Sequence, residues 1–454
     1  MTSAEQLALR HLSEAIAIPT VSAQGAAAEL VRFEEFRAYL RQQYPLVHSR
    51  LQCETVAGNS LLYTWRGSGN GRPFALLAHQ DVVPVEEGTE DAWTHPPFSG
   101  IVDDIYIWGR GASDVKCLLI AILEAVERLL SQNYTPDRDI YLCFGHNEEI
   151  LAGGSESGAA CMSELLCSRG VQLEFVLDEG GAVLADSFMG IGKPLAAIGT
   201  AEKGYCDFLV TVEGPGGHAA EPPADTAVTQ LSRLLLAVQP SKPHLTETVS
   251  GMLKVLGTHK SGTLGFVLRH AGVFWPLLRP ILMKNKQTAA MLRTTCVATM
   301  LNASPQANVL PQNASATFNA RILPGDTAEA LLDRIRQKAT AMGIKARVQQ
   351  LRGNPPPIET PQNTPTFRRL ATLSRELLQA IPMSYLVTGC TDSAEYTRVA
   401  DEIYRFYPFS LTFDELDGMH GTDERLRCDS FLKGIEFLSQ FIIQSSGGGS
   451  YGKP

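Results

Sequence analysis

Several short segments of this chain place His, Asp or Glu at the ends of apolar runs. His79 and Asp81 lie in HQDVVP, Asp114 in GRGASDVK, Glu148 and Glu149 in GHNEE, Asp178 in DEGG, and His420 in GMHGTDERL. Imidazole and carboxylate together form the donor set of a zinc-type centre. A carboxylate beside such a centre can act as a general base. His79 and Asp81 are two apart in an extended segment and so face one side. The Asp81 carboxylate can then orient the ring of a metal-bound His79. Taken singly, each residue has a plainer reading. A His after a strand is a packed or surface residue, an Asp before a helix is an N-cap, and a Glu pair is a solvated face; His146 is read as structural. Taken together they favour a site, because parallel α/β sheets collect ligands at the carboxyl ends of their strands.

The elements that would carry these residues follow from periodicity. Phe74 to His79 (FALLAH), Ile140 to Phe144 (IYLCF) and Leu173 to Leu177 (LEFVL) read as strands. Lys116 to Gln132 and Gly158 to Ser168 read as helices, and the N-terminus as an amphipathic helix ending before Pro19. Strands alternating with helices imply an α/β domain with a mostly parallel sheet. The RGSGNGRP segment (Arg66 to Pro73) reads as a hairpin loop.

The pattern changes near Gly204. Strands at Asp207–Glu213, Asn313–Ile322 and Lys345–Leu351 alternate with helices at about Asp225–Val238 and Asp326–Met342. This describes a small α+β domain with one exposed sheet face. The stretch 241–307 carries no assignable pattern. After the proline-rich connector GNPPPIETP come a helix near 366–380, strands near 384–387 and 403–407, and a last helix from about 423 to 444. The economical organisation is a discontinuous catalytic domain (1–203 and 353–446), an inserted domain (204–352) and a flexible tail (447–454).

Composition limits the function classes. The 454 residues are 44% hydrophobic and 19% charged, enough for full cores. The net charge of −9 argues against a nucleic-acid or membrane-surface binder, which needs a basic face. The best candidate span, Leu264 to Met283, is broken by Arg269, His270, Arg279 and two prolines. No secretory signal pattern opens the chain, and nine scattered cysteines read as reduced thiols. The expectation is a soluble cytoplasmic protein. There is no phosphate loop and no GxGxxG after a strand. The only GxSxG, Gly448 to Gly452, has neither strand before it nor helix after it, so no serine-hydrolase elbow is expected.

The ordered set HQDVVP, GRGASDVK, GHNEE, DEGG, GGHAAEP and MHGTDERL resembles the M20 family of di-zinc peptidases and amidohydrolases. It is most similar to the carboxypeptidase S and N-acyl-amino-acid hydrolase branch. The resemblance implies a zinc-peptidase catalytic domain with an inserted lid or dimerisation domain and two Zn2+ per subunit, with Co2+ or Mn2+ as substitutes. By the resemblance, His79 and Asp178 bind one metal, Glu149 and His420 the other, and Asp114 bridges. Asp81 orients, Glu148 is the general base, and a cis peptide joins Asp114 to Val115. Three carboxylates and a bridging hydroxide would balance the four charges of two divalent ions.

The same resemblance makes His218 a donor to the tetrahedral oxyanion, supplied by a partner chain where the family is dimeric. It gives Asn308, Arg321 and Gly389 to the substrate, an Arg fork suiting a free carboxylate. The implied substrate is a short peptide losing its C-terminal residue or an N-acyl amino acid, with hydrolysis or condensation both open. The alternatives are a deacylase of the acetylornithine or succinyl-diaminopimelate type and a non-catalytic metal-binding relative. A homodimer through the inserted domain is a further expectation. The chain departs from the family pattern at Asn147, where an Asp commonly stands, in the longer loop ILAGGSESGA, and in its longer inserted domain.

Overall fold

In Phe74–His79, Phe74, Leu76 and Ala78 point into one core and Ala75 and Leu77 into another. A strand buried on both faces needs apolar residues at every position. This strand lies inside a ten-stranded sheet. The computed structural model describes residues 1–22, 30–150, 157–188, 190–447 and 450–451. The chain divides into two compact units, one of residues 1–200, 360–385 and 391–454, the other of 201–359 and 386–390.

In the first unit the strand order is Gln52–Val56, Ser60–Trp65, Ile140–Gly145, Phe74–His79, Leu173–Asp178, Ala400–Arg405, Leu195–Glu202, Val183–Leu184 and Ser410–Leu411, with Ile381–Val387 branching from Leu195–Glu202. Phe74–His79 runs parallel to both Ile140–Gly145 and Leu173–Asp178, and Ala400–Arg405 is parallel to the latter. The fold is therefore α/β with a mostly parallel core. Helices Ser3–Ile16, Lys116–Ser131 and Cys428–Ser445 cover one face, and Gly158–Ser168 covers the other. Parallel direction brings the carboxyl ends of three strands, at His79, Gly145 and Asp178, to one edge.

The second unit holds a four-stranded antiparallel sheet, ordered Thr295–Asn302, Asn313–Ile322, Gly204–Glu213 and Ala346–Asn354. Asn313–Ile322 alternates strictly between buried and less buried positions. Its inward side packs Phe318 flat on Phe208, ring centroids 4.9 Å apart. Helices Ala227–Ala237 and Ala328–Ala341 complete this core.

Several expectations need correction. Residues 66–73 do not close a hairpin: Ile140–Gly145 lies between Ser60–Trp65 and Phe74–His79. The second domain boundary lies later than 353, because Ala346–Asn354 pairs with Gly204–Glu213 as far as Asn354. The stretch 241–307 contains four helices, Glu247–Thr258, Gly262–Arg269, Trp275–Leu282 and Lys286–Met291, and the edge strand Thr295–Asn302. Prolines and glycines hid them. A Cβ on Gly265 would meet the Gly257 carbonyl oxygen at 2.9 Å, so these apparent breakers are what lets two helices touch. The last helix begins at Cys428 rather than 423, because Arg425–Arg427 pairs with Tyr106–Trp108 and buries Leu426 against Ile107. In the tail, Ser450–Tyr451 pairs with Tyr134–Thr135. Most of the long loop after Glu149 (151–156) and most of the GGSYG motif lie outside the described residues. None of the nine cysteines is in a disulfide, and no helix among the described residues is long and apolar enough to cross a membrane.

Candidate metal centre

His79 ends its strand almost fully buried. Its Nδ1 lies 2.9 Å from the backbone carbonyl oxygen of Asp81. A carbonyl only accepts, so Nδ1 carries a proton and Nε2 is the nitrogen turned toward the site. The Asp81 carboxylate is 3.5 Å from Nδ1 and works mainly on the neighbouring loop. It accepts the N–H groups of Glu148 (3.2 Å) and Glu149 (3.1 Å) and the Ser22 hydroxyl (2.6 Å). The role expected for the Asp81 carboxylate thus divides: its backbone orients His79, while its side chain holds the Glu pair.

Asp114 presents one oxygen to each imidazole. Oδ1 is 3.3 Å from His79 Nε2 and Oδ2 is 2.9 Å from His420 Nε2. His420 Nε2 also lies 3.2 Å from Glu149 Oε2. The ligand atoms of His79, Asp114 and Glu149 fall within 4.8 Å of one another, as do those of His79, Glu148 and Glu179. The Asp114–Val115 peptide is cis, as the resemblance implied.

Asp178 ends its strand beside this group. Its Oδ1 accepts the Glu179 N–H at 2.9 Å and its Oδ2 the Ser393 N–H at 2.8 Å. The next residue, Glu179, has its Oε1 3.5 Å from His79 Nε2. Glu179 is half of the DEGG motif, but adjacency alone does not say which acid turns inward. Asp392, in the loop GCTDS, was also missed. A Cβ on Gly145 would meet its Oδ2 at 2.1 Å, so Gly145 must be glycine for that carboxylate to come so close.

The electrostatics are those of crowded carboxylates. Burial, opposed by the carboxylates of Asp114, Asp81 and Glu179, leaves the His79 ring pKa raised well above its usual value. Asp114 and Glu149 push His420 up to about 10. Burial, then Asp114, pushes Glu179 up to about 8. Glu148 is raised well above its usual value by burial and by Glu179, Glu149 and Asp392. Desolvation and like-charge repulsion both disfavour the ionised acids.

These residues fit divalent cations. His79 Nε2 and Glu149 Oε1 are buried with no hydrogen-bond partner among the described residues. Buried lone pairs are costly to leave unpaired, and a cation would take both. The loops that carry the ligands are fixed from outside. Glu424, fully buried, accepts the N–H groups of Gly111, Ser113 and Asp114 at 2.9–3.0 Å. Arg110 Nη1 donates to its other oxygen at 2.5 Å, and the guanidinium lies over the Trp93 ring. Asp423 accepts from Thr94 N and Oγ1. His420 between these anchors holds a left-handed φ of 59°, which a non-glycine residue keeps only where its surroundings enforce it.

The other expected site residues belong to the second unit. His218 is exposed on the two-residue strand Gly217–His218, opposite Val309. Asn308 is exposed, and its carbonyl oxygen accepts the Ala219 N–H at 3.0 Å. Arg321 donates to Cys390 Sγ at 2.7 Å and lies over the Tyr205 ring. Gly389 precedes Cys390 in the same unit.

Comparison with known proteins places the chain in a family. Residues 75–444 match peptidase family M20/M25/M40. The chain is 35% identical over 451 residues to the N-fatty-acyl-amino acid synthase/hydrolase PM20D1 of Mus musculus, covering 96% of this chain and 88% of that protein. It is 33% identical over 442 residues to the probable carboxypeptidase S-like 2 of Dictyostelium discoideum, covering 95% and 84%. The fold is similar to the M20 family metallo-carboxypeptidase Sso-CP2 from Sulfolobus solfataricus, with a TM-score of 0.69 at 15% identity and coverage of 97% and 99%. A cluster of imidazoles and carboxylates at the carboxyl edge of this sheet, in a chain so matched, identifies a metal-dependent hydrolase of amide bonds that belongs to peptidase family M20.

Proposed function

We propose that the chain is a di-zinc hydrolase that cleaves an amide bond beside a free α-carboxylate. The substrate is an N-acyl amino acid or a short peptide losing its C-terminal residue. The observation that carries this reading is Asp114 set between His79 and His420, one oxygen toward each. His79 and Glu179 would hold one ion and Glu149 and His420 the other, with Asp114 shared. Mixed imidazole and carboxylate donors suit zinc. When bound, the ions polarise the amide carbonyl and acidify a water. Glu148 takes the proton from that water on a carboxylate oxygen and delivers it to the leaving amine nitrogen. Asp81 holds Glu148 in place through its backbone N–H.

Arg321 has no carboxylate partner among the described residues, which supports its role as the fork for the substrate's carboxylate. Asn308 and Gly389 join it, and His218 donates to the oxyanion. The names of the relatives, one a fatty-acyl-amino acid synthase/hydrolase and one a carboxypeptidase S-like protein, divide the substrate class in two. A screen of N-acyl amino acids of rising acyl length against dipeptides, with metal content measured in parallel, separates them. Turnover of N-acetylornithine or succinyl-diaminopimelate alone would move the protein to the biosynthetic deacylases. No turnover of any amide by metal-loaded protein would end the proposal.

A further inference from the structure

Between Glu247 and Asp326 the chain has no Asp or Glu, although its net charge is −9. The helices Gly262–Arg269 and Trp275–Leu282 lie in this acid-free stretch. Both are anchored: Leu268, Leu278 and Leu282 are buried, and Gly265 seats its helix closely against Gly257. A second apolar stripe faces outward. Val273, Leu277 and Ile281, spaced four apart, are 78%, 64% and 63% exposed. Phe266 is 48% exposed, and its ring stands edge-on to Phe274 at 5.8 Å, which joins the two helices. Lys284 and Lys286 follow directly on the end of the stripe and Arg269 stands one turn after Phe266; all three are exposed and none forms an ion pair among the described residues, while Arg269 donates to the Gly257 carbonyl oxygen at 2.7 Å.

We infer that this face docks the protein on an anionic phospholipid bilayer. Adjacent apolar side chains rimmed by unpaired cations are the pattern of an interfacial helix, whose apolar face enters the headgroup boundary while its cations meet lipid phosphates. Charge complementarity selects this occupant. A second copy of the same face would bring cations against cations with no acid in the stretch to meet them. A nucleic acid would leave Val273, Leu277 and Ile281 without an apolar partner. The overall negative charge, which argues against membrane binding, is an average that conceals this local excess of cations.

The test uses the full chain and sedimented vesicles. Wild type is expected to bind phosphatidylcholine vesicles containing phosphatidylglycerol, to bind pure phosphatidylcholine at least about tenfold more weakly, and to be released by high salt. Leu277→Glu with Ile281→Glu, and separately Lys284→Glu with Lys286→Glu, should each weaken binding about tenfold or more. Circular dichroism melts should match wild type, since these side chains are exposed. Absence of binding to the anionic vesicles, equal binding to both vesicle types, or unchanged binding by both variants overturns the inference. A lipid-free dimer on light scattering that Leu277→Glu with Ile281→Glu dissociates also overturns it, by making the face a self-association surface.

Discussion

Glu424 Oε1 accepts the backbone N–H of Asp114 at 3.0 Å, and four residues earlier His420 Nε2 reaches the carboxylate of the same Asp114 at 2.9 Å. One short segment thus grips Asp114 twice, by its backbone and by its side chain. Replacing Glu424 with Gln leaves Arg110 buried without its counter-charge, which costs about 3–5 kcal/mol. It also loosens the loop beneath Asp114. We expect a lower Tm and metal affinity weakened about 10–100-fold, read by competition with a chelator. Unchanged chelator competition would show that Glu424 has no part in placing Asp114.

Glu148→Gln keeps the size and the backbone contacts of the side chain but cannot take up a proton. Metal content should stay at the wild-type level while turnover falls about 10²–10⁴-fold. Loss of metal in this variant would instead make Glu148 a ligand, a role that its closeness to His79 and Glu179 permits.

Glu179 and Asp178 are adjacent but make different contacts. Glu179→Gln should lower the number of metal ions retained per chain. Asp178→Asn should retain the ions and instead disturb the backbone of the segment it holds at Ser393. Metal analysis of the two variants side by side decides the assignment, and the opposite pattern would restore Asp178 as the ligand.

Metal uptake by the chelated protein should release protons at pH 7. In the metal-free chain the rings of His79 and His420 have raised pKa values, His420 at about 10, and Glu179 stands at about 8. All three are largely protonated at pH 7, whereas ligands must be deprotonated. The release should shrink as pH rises through about 8 to 10. The stability of the metal-free fold falls over the same range. His420's folded pKa lies above its unfolded value, so its contribution to the metal-free fold is complete below about 6.5 and is lost as pH rises through about 10. Titration calorimetry in buffers of different ionisation enthalpy measures the release. Uptake at pH 7 with no exchanged protons would contradict the electrostatic account.

Sequence alone determined most of what periodicity and local chemistry encode. The helix Gly158–Ser168 and the strand Asn313–Ile322 have the same ends in the sequence reading and in the structure, because each has a strict pattern bounded by turn residues or a cap. His79 and Glu149 were legible because they end or closely follow strands with a clear apolar signature, and Asp114 and His420 because each lies in a short motif between elements. Tertiary structure decided what depends on direction in space. That Glu179 faces His79 turns on which way its side chain leaves the strand end. The neighbour of Ser60–Trp65 is Ile140–Gly145, some eighty residues distant, rather than the strand that follows it. The helices of 241–307 form where Gly257 and Gly265 touch and where buried Leu278 and Leu282 outweigh two prolines. These outcomes rest on contacts between residues far apart or unfavourable in isolation, and a local pattern carries no record of such contacts.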